Sequence, residues 1–226
     1  MTVKKYELIP DDTVRSWDGR TLFRIRALVA IAAFGVAVGE VGGYVESEAH
    51  LSQSGNAWVS GDARVYGNAQ VYGNARVYGN AQVYGDARVC GNARVYGNAQ
   101  VYGDARVSGN AWVCGDARVY GNAWVSGNAR VYGNAQVYGN ARVYGDARVS
   151  GEIIVGTRSD GYTFLVTPTT DGLRIIAGCR YFTFDEARDH WQRTRAGTQL
   201  GAESLALVDH LERMAVICKL AEQVPA

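Results

Sequence analysis

The chain has 226 residues, and 23 Lys and Arg stand against 22 Asp and Glu for a formal net charge of +1. So even a balance argues for neither a polyanion mimic nor generic nucleic-acid binding, and no generic nucleic-acid partner is expected. The longest wholly apolar run, residues 27–38, is too short to span a bilayer and lacks a signal-peptide layout, so no membrane partner is expected and a cytoplasmic location is.

Residues 1–42 show no short period and read as an N-terminal cap. Asp18-Gly19 reads as a hairpin turn between residues 14–17 and 21–25, and the apolar run 27–38 is expected to pack over the first coil of the repeat region. That region is a solenoid. From Gly55 to Ser150 one six-residue unit, Gly-Asn/Asp-Ala-x-Val-x, recurs sixteen times with no exception at Gly, Ala or Val. Residues two apart on a strand share a face, so Ala and Val of each unit form the core. The residue between them and the residue after Val face solvent. Gly-Asn/Asp makes the corner, because Gly takes positive φ freely and Asn or Asp tolerates it. Gly43-Tyr44-Val45 and Ala49-His50-Leu51 fit the same small-x-aliphatic spacing and add part of one coil. Residues 52–54 break the frame by two and form a loop.

Residues 152–226 read as an α+β module. Strands are expected at 153–155, 162–166 and 173–177, with turns at Ser159-Asp160-Gly161 and Thr170-Asp171-Gly172. Thr183-Phe184-Asp185-Glu186 has capping-box spacing for a helix over 184–195, and a second, amphipathic helix is expected over 202–222.

Written Val-x-Gly-Asn-Ala-x, the unit resembles the hexapeptide repeat of left-handed parallel β-helices. That resemblance implies a mainly β fold, a left-handed parallel β-helix over 43–151, with three units per coil and coils stacked at roughly 4.8 Å. It also implies a homo-oligomer, commonly a trimer. The flanks, Arg24-Ile25-Arg26-Ala27, Gly42-Gly43-Tyr44-Val45-Glu46-Ser47-Glu48 with Leu51-Ser52, and Ala177-Gly178-Cys179 with Thr183-Phe184-Asp185-Glu186, resemble a group of phage- and prophage-encoded hexapeptide-repeat proteins of undefined role.

Acyltransferases that share the repeat use a histidine base, and related carbonic anhydrases use three histidines for zinc. This chain has only His50, His190 and His210, none inside the regular units and no two at metal-ligand spacing. No catalytic residue, cofactor or metal is therefore assigned. Cys90 and Cys114 fall in outward slots on different faces, which argues for free thiols rather than a disulfide framework.

Stacking residues eighteen apart brings Tyr66, Tyr84, Tyr102, Tyr120 and Tyr138 into one ladder beside Arg64, Gln82, Gln100, Arg118 and Gln136. Such a strip suits a protein interface or a small anionic, nucleotide-like ligand. It also suits plain cross-strand stabilisation of the coils. Trp58 and Trp112 share an arginine column and Trp124 lies in another; all three read as exposed anchors or as neutral drift. The remaining Arg and Asp read as a charge-paired, solvated surface. The expected function is a non-catalytic binding protein that sequesters or blocks a host component, with anti-defence as the context implied by the phage resemblance. An acyltransferase-type enzyme and a self-assembling structural solenoid are the alternatives.

Overall fold

A computed structural model describes residues 4–151, 153–169, 171–178 and 180–223. It opens with a hairpin of β1 (Tyr6–Arg15) and β2 (Thr21–Ala27), whose turn is closed by Ser16 N donating to Arg20 O at 3.0 Å. β1 begins well before the expected residues 14–17. Pro10-Asp11-Asp12 carries turn chemistry, but the pairing register shifts between Ile9 and Thr13, and this bulge on an edge strand absorbs a residue with no N–H. β2 pairs antiparallel with β3 (Val41–Val45), the first strand of the solenoid. Residues 27–38 form a turn around a short 3-10 helix, Ala32–Phe34, closed by an Ile31–Val36 bridge, and Ala27, Ile31 and Val36 join the solenoid core.

Each regular unit then contributes one two-residue strand, from β4 (Trp58–Val59) to β19 (Arg148–Val149). Up to β16 each strand pairs in parallel with the strand three units on, as Arg94 does with Trp112 and Arg76 with Arg94, so the strands sort into three sheets on the three faces of a prism. β3 continues the first sheet upward through the Val45–Val65 pair, and Leu51 bridges Val71, which completes a parallel β-solenoid of about six turns. The expected parity holds throughout. Every repeat Ala and Val is at most 1 % exposed. Each corner Gly has φ between 61° and 78°, where a side chain is strained. Backbone N–H groups of each coil donate to carbonyls of the next, as Arg94 N does to Ala111 O at 2.9 Å.

The frame slip also lies where expected, because Val45 pairs with a residue twenty positions on and Val59 with one eighteen on. One detail is reversed. Ala49 is exposed and His50 buried, because Ser47 starts a 3-10 turn, Glu48–His50, that rotates the segment before Leu51 returns to the core.

Both ends are covered. Above the first repeat coil the partial coil supplies backbone donors to Ala63, Val65 and Val71, and where it leaves carbonyls unpaired side chains supply the missing donors. Lys5 Nζ donates to Ala57 O at 2.7 Å, Tyr6 Oη to Leu51 O at 2.7 Å, and His50 Nε2 lies 2.8 Å from Gly67 O. At the other end β20 (Ile154–Thr157), β21 (Thr163–Thr169), β22 (Gly172–Ala177) and β23 (Arg180–Phe182) form an antiparallel sheet in that order. Alternation divides its two sides. Leu165 and Ile176, with Ile153, join the solenoid core, while Phe164, Val166 and Ile175 pack on α1 (Phe184–Arg195) and α2 (Gln199–Ile217).

The expected three strands are thus four. β23 is too short to leave a hydrophobic pattern. Thr170 of the expected turn, and Cys179, lie outside the described residues. The first helix has the expected bounds and a complete Thr183–Glu186 capping box. The second starts earlier than expected because Thr198 Oγ1 accepts from Gly201 N at 3.0 Å, and it stops at Ile217, before Lys219 turns to a left-handed φ of 51°.

Candidate functional site

Because each repeat Val points inward, the residue after it is carried outward at the next corner, and on the first face that slot is tyrosine in all five regular coils. The rings stack. Centroids are 5.1 Å apart for Tyr66–Tyr84, 4.9 Å for Tyr84–Tyr102 and Tyr102–Tyr120, and 5.5 Å for Tyr120–Tyr138, with the first three pairs parallel within 4°. The strand spacing of roughly 4.8 Å is close to an aromatic stacking distance, so the coil pitch itself builds the ladder. The glutamines of the same face serve it: Tyr66 Oη donates to Gln82 Oε1 at 3.3 Å and Tyr120 Oη to Gln136 Oε1 at 3.4 Å. Gln100 and Arg118 continue that column in register.

The ladder is not uniformly open. Tyr66 is 2 % exposed, packed under the N-terminal hairpin against Leu22 and Tyr44, and Arg64 is drawn toward Arg15 O at 3.4 Å. The open strip therefore runs from Tyr84 to Tyr138, which is 37 % exposed. Burial raises the Tyr66, Tyr84 and Tyr102 hydroxyls above their ordinary range, and the neighbouring tyrosine adds to the effect, so these three are neutral at physiological pH. The face around it is neutral too, since Arg64 and Arg118 are matched by Asp62 and Asp116 at its leading corner.

The three tryptophans fare differently. Trp58 is 1 % exposed, edge-on to Tyr6 and covered by the N-terminal region, so it is a core residue and not an exposed anchor. Trp112 lies between Arg94 and Arg130, whose guanidinium carbons are 5.1 and 4.6 Å from its ring centroid. Trp124 is exposed, donates to Ser108 Oγ at 3.1 Å and meets Tyr144 edge-on.

The expectation of a charge-paired surface does not hold. Among the described residues none of the nine repeat arginines forms an ion pair; the ion pairs belong to the N-terminal region, with Asp62 as the only repeat residue among them, and to the C-terminal module. The repeat aspartates are turned along the corners instead. Asp86, Asp116 and Asp146 accept from Asn68, Asn98 and Asn128 at 2.9–3.0 Å. One corner carries an unbroken chain of side-chain hydrogen bonds from Asn56 through Asn74, Asn92 and Asn110 to Asn128 and Asp146. The eighteen-residue register, applied to the corner position, predicts that column as readily as the tyrosine ladder.

The histidines are occupied structurally or lie apart. His50 is spent on Ser47 and the Gly67 carbonyl. His190 stacks on Phe182, with burial and then Arg180 holding it below the usual imidazole range. His210 is exposed on α2. Among the described residues no group of three metal-ligating side chains comes together, and no helix is long and apolar enough to cross a membrane. Cys90 and Cys114 occupy different columns, beneath Tyr72 and Tyr96. A polar cleft of about 420 Å³ opens where the last coils meet the C-terminal module, lined by Asn122, Asn140, Arg142 and Tyr144 on one side and residues 160–163 on the other. There the Arg158 guanidinium holds the Asp160 carboxyl down to about 2.

A repeat family described as the YdcK beta solenoid repeat matches the chain in nine overlapping stretches, from 57–71 to 141–156, that together run without a break over residues 57–156. The solenoid is thus similar to that repeat, and the match ends as the C-terminal sheet begins. None of the curated proteins matches the chain.

Proposed function

We propose that this chain is a non-catalytic binding protein whose working surface is the open tyrosine ladder, Tyr84 to Tyr138, with Gln100, Arg118 and Gln136 beside it. The observation that carries this reading is the ladder itself. Among the described residues it is the longest run of stacked aromatic rings on the prism, and aromatic side chains with arginine are what protein interfaces concentrate. The neutrality of that face favours a host protein over a small anionic nucleotide-like ligand. Sequestration of a host component, in a phage anti-defence setting, is the biological form of the proposal.

Two features weigh against the alternatives. The solenoid interior is filled by Ala and Val, and His50 is committed to a backbone carbonyl, which leaves an acyltransferase base without a place in the coils. Both ends of the solenoid are covered, which opposes end-to-end growth into filaments.

The test is the double substitution Tyr102→Ala with Arg118→Ala, both outward. Affinity capture from a bacterial lysate should recover a specific protein with the wild type and lose it with the variant, while circular dichroism is unchanged. Capture that survives the double substitution refutes the proposal. Light scattering on the same pair assigns the ladder to self-association instead if a homo-oligomer, trimeric or otherwise, becomes monomeric.

A further inference from the structure

We infer that a second face of the prism, carrying Arg76, Arg94, Trp112 and Arg130, is a binding strip for single-stranded nucleic acid. This goes beyond the ladder and lies on a different sheet.

The argument begins with where the charge sits. The chain-wide balance of +1 hides an uneven surface. The ladder face carries two arginines and two aspartates, the third face three and two, and this face four arginines against Asp146 alone. The strand pairing places Arg76, Arg94, Trp112 and Arg130 directly in register along the solenoid axis. At roughly 4.8 Å per coil the three arginines span about 14 Å. That is too long a row for one phosphate and suits a linear polyanion.

The guanidinium groups are also held in place without being neutralised. Arg76 lies 4.6 Å over the Phe34 ring and 5.1 Å from Tyr78, and Arg94 and Arg130 sandwich Trp112. Like charges stacked on neighbouring strands repel, so this column is costly until an anion meets it. Planar cations pinned on rings lose little further freedom on binding. The leading corner is the asparagine chain, which sets no carboxylate beside the strip until Asp146, and at the trailing corner Asp62 is paired with Arg24 and Asp116 accepts from Asn98. Arg148 lines a separate cleft with Asp146 and Asp171, so the strip ends at Arg130.

The border on the trailing side selects the kind of polyanion. Tyr78 and Tyr96 stack there at 4.8 Å, which covers the faces they turn to each other and leaves the outer face at each end of the pair, toward the smaller Ser60 and Cys114, where an unpaired base can stack beside the row of cations. A duplex hides its base faces, and a lipid surface has none. A single file of cations on a flat face also follows one backbone and not two.

The experiment is fluorescence anisotropy with a labelled 15-nucleotide oligo-uridine at low salt, comparing wild type, Arg94→Gln with Arg130→Gln, and Tyr102→Ala. The expected result is saturable binding by the wild type, at least a tenfold loss in the double variant, and no change in Tyr102→Ala. The slope of log affinity against log salt should fall by about 1.4, at roughly 0.7 per lost phosphate contact. Circular dichroism should stay unchanged, since both arginines are outward. Absence of wild-type binding, equal binding by the double variant, or equal affinity for a 15-base-pair duplex, dextran sulfate or phosphatidylserine vesicles overturns the inference. Loss through Tyr102→Ala alone would move the site to the ladder and overturn it as well.

Discussion

Val101 sits at the middle of the solenoid, wholly buried, between Val83 of the coil before and Val119 of the coil after. Truncating it to alanine removes two methyl groups, and at about 0.8 kcal/mol per buried carbon the transfer loss is about 1.6 kcal/mol. The cavity adds to this. Backbone ladders fix the walls on both sides, so the site cannot collapse, and the added cost is on the order of 1 kcal/mol. A total of about 2–3 kcal/mol corresponds to a fall in Tm of roughly 4–12 °C for a chain of this size. Val101→Asp goes further, since the apolar prism holds no partner for a carboxylate, and it should unfold the solenoid or split it into two parts. Gln100→Ala, one residue away and outward, should stay within about 0.5 kcal/mol of wild type. Thermal melts followed by circular dichroism decide the matter. If Val101→Ala melts with the wild type, or Gln100→Ala costs as much, the inward valine column is not what holds the coils together.

Corner glycines allow two strain terms to be separated. At Gly103 (φ 68°) an added Cβ would meet Gly121 N at 3.0 Å, whereas at Gly139 (φ 62°) it would meet nothing within 4 Å. Both alanine variants carry about 1–2 kcal/mol of left-handed strain, and Gly103→Ala should be measurably worse in a denaturant titration; equal losses would mean the coil contact is soft. Stability should also depend on alkaline pH in two opposed ways. Burial lowers Lys5 from 10.5 to about 8, so between these values the unfolded chain holds a proton that the folded one has released, and stability rises with pH. Tyr66, Tyr84 and Tyr102 are raised above 10, so their contribution is complete below pH 10 and is lost as pH climbs through their folded values. Tm should therefore rise from pH 8 toward 10 and fall beyond it. Lys5→Met should flatten the rising limb and leave the fall; an unchanged rise would show that Lys5 is not its source.

How much of each feature was legible in the sequence depends on how far that feature relies on distant residues. A six-residue unit fixes parity locally, and a coil of three units turns positions into columns by arithmetic alone, so the Val core, the tyrosine ladder and the Trp112 column could be written down from the sequence. Trp58 and Tyr66 occupy slots of the same kind, yet both are buried, because residues from far upstream fold back over the first coils. Nothing in their own units marks this. His50 is a similar case, since its inward turn answers a carbonyl left unpaired only because the solenoid begins there. β1 escaped for the opposite reason, as Pro10 gives a local turn signal that a bulge then overrides.

The charge pattern was within reach of the same arithmetic but is invisible to composition. Nine arginines and five aspartates look like a mixed, self-paired surface when counted over the whole molecule. Sorted by column they separate, because an aspartate at a corner and an arginine on a strand occupy different rows, and the corner asparagines take up three of the five aspartates. In an irregular fold the side chains would rearrange until opposite charges met. In a prism whose backbone repeats every eighteen residues each side chain is held to its row, so an unpaired row of arginines persists as a property of the surface, available to a partner that brings the missing anions.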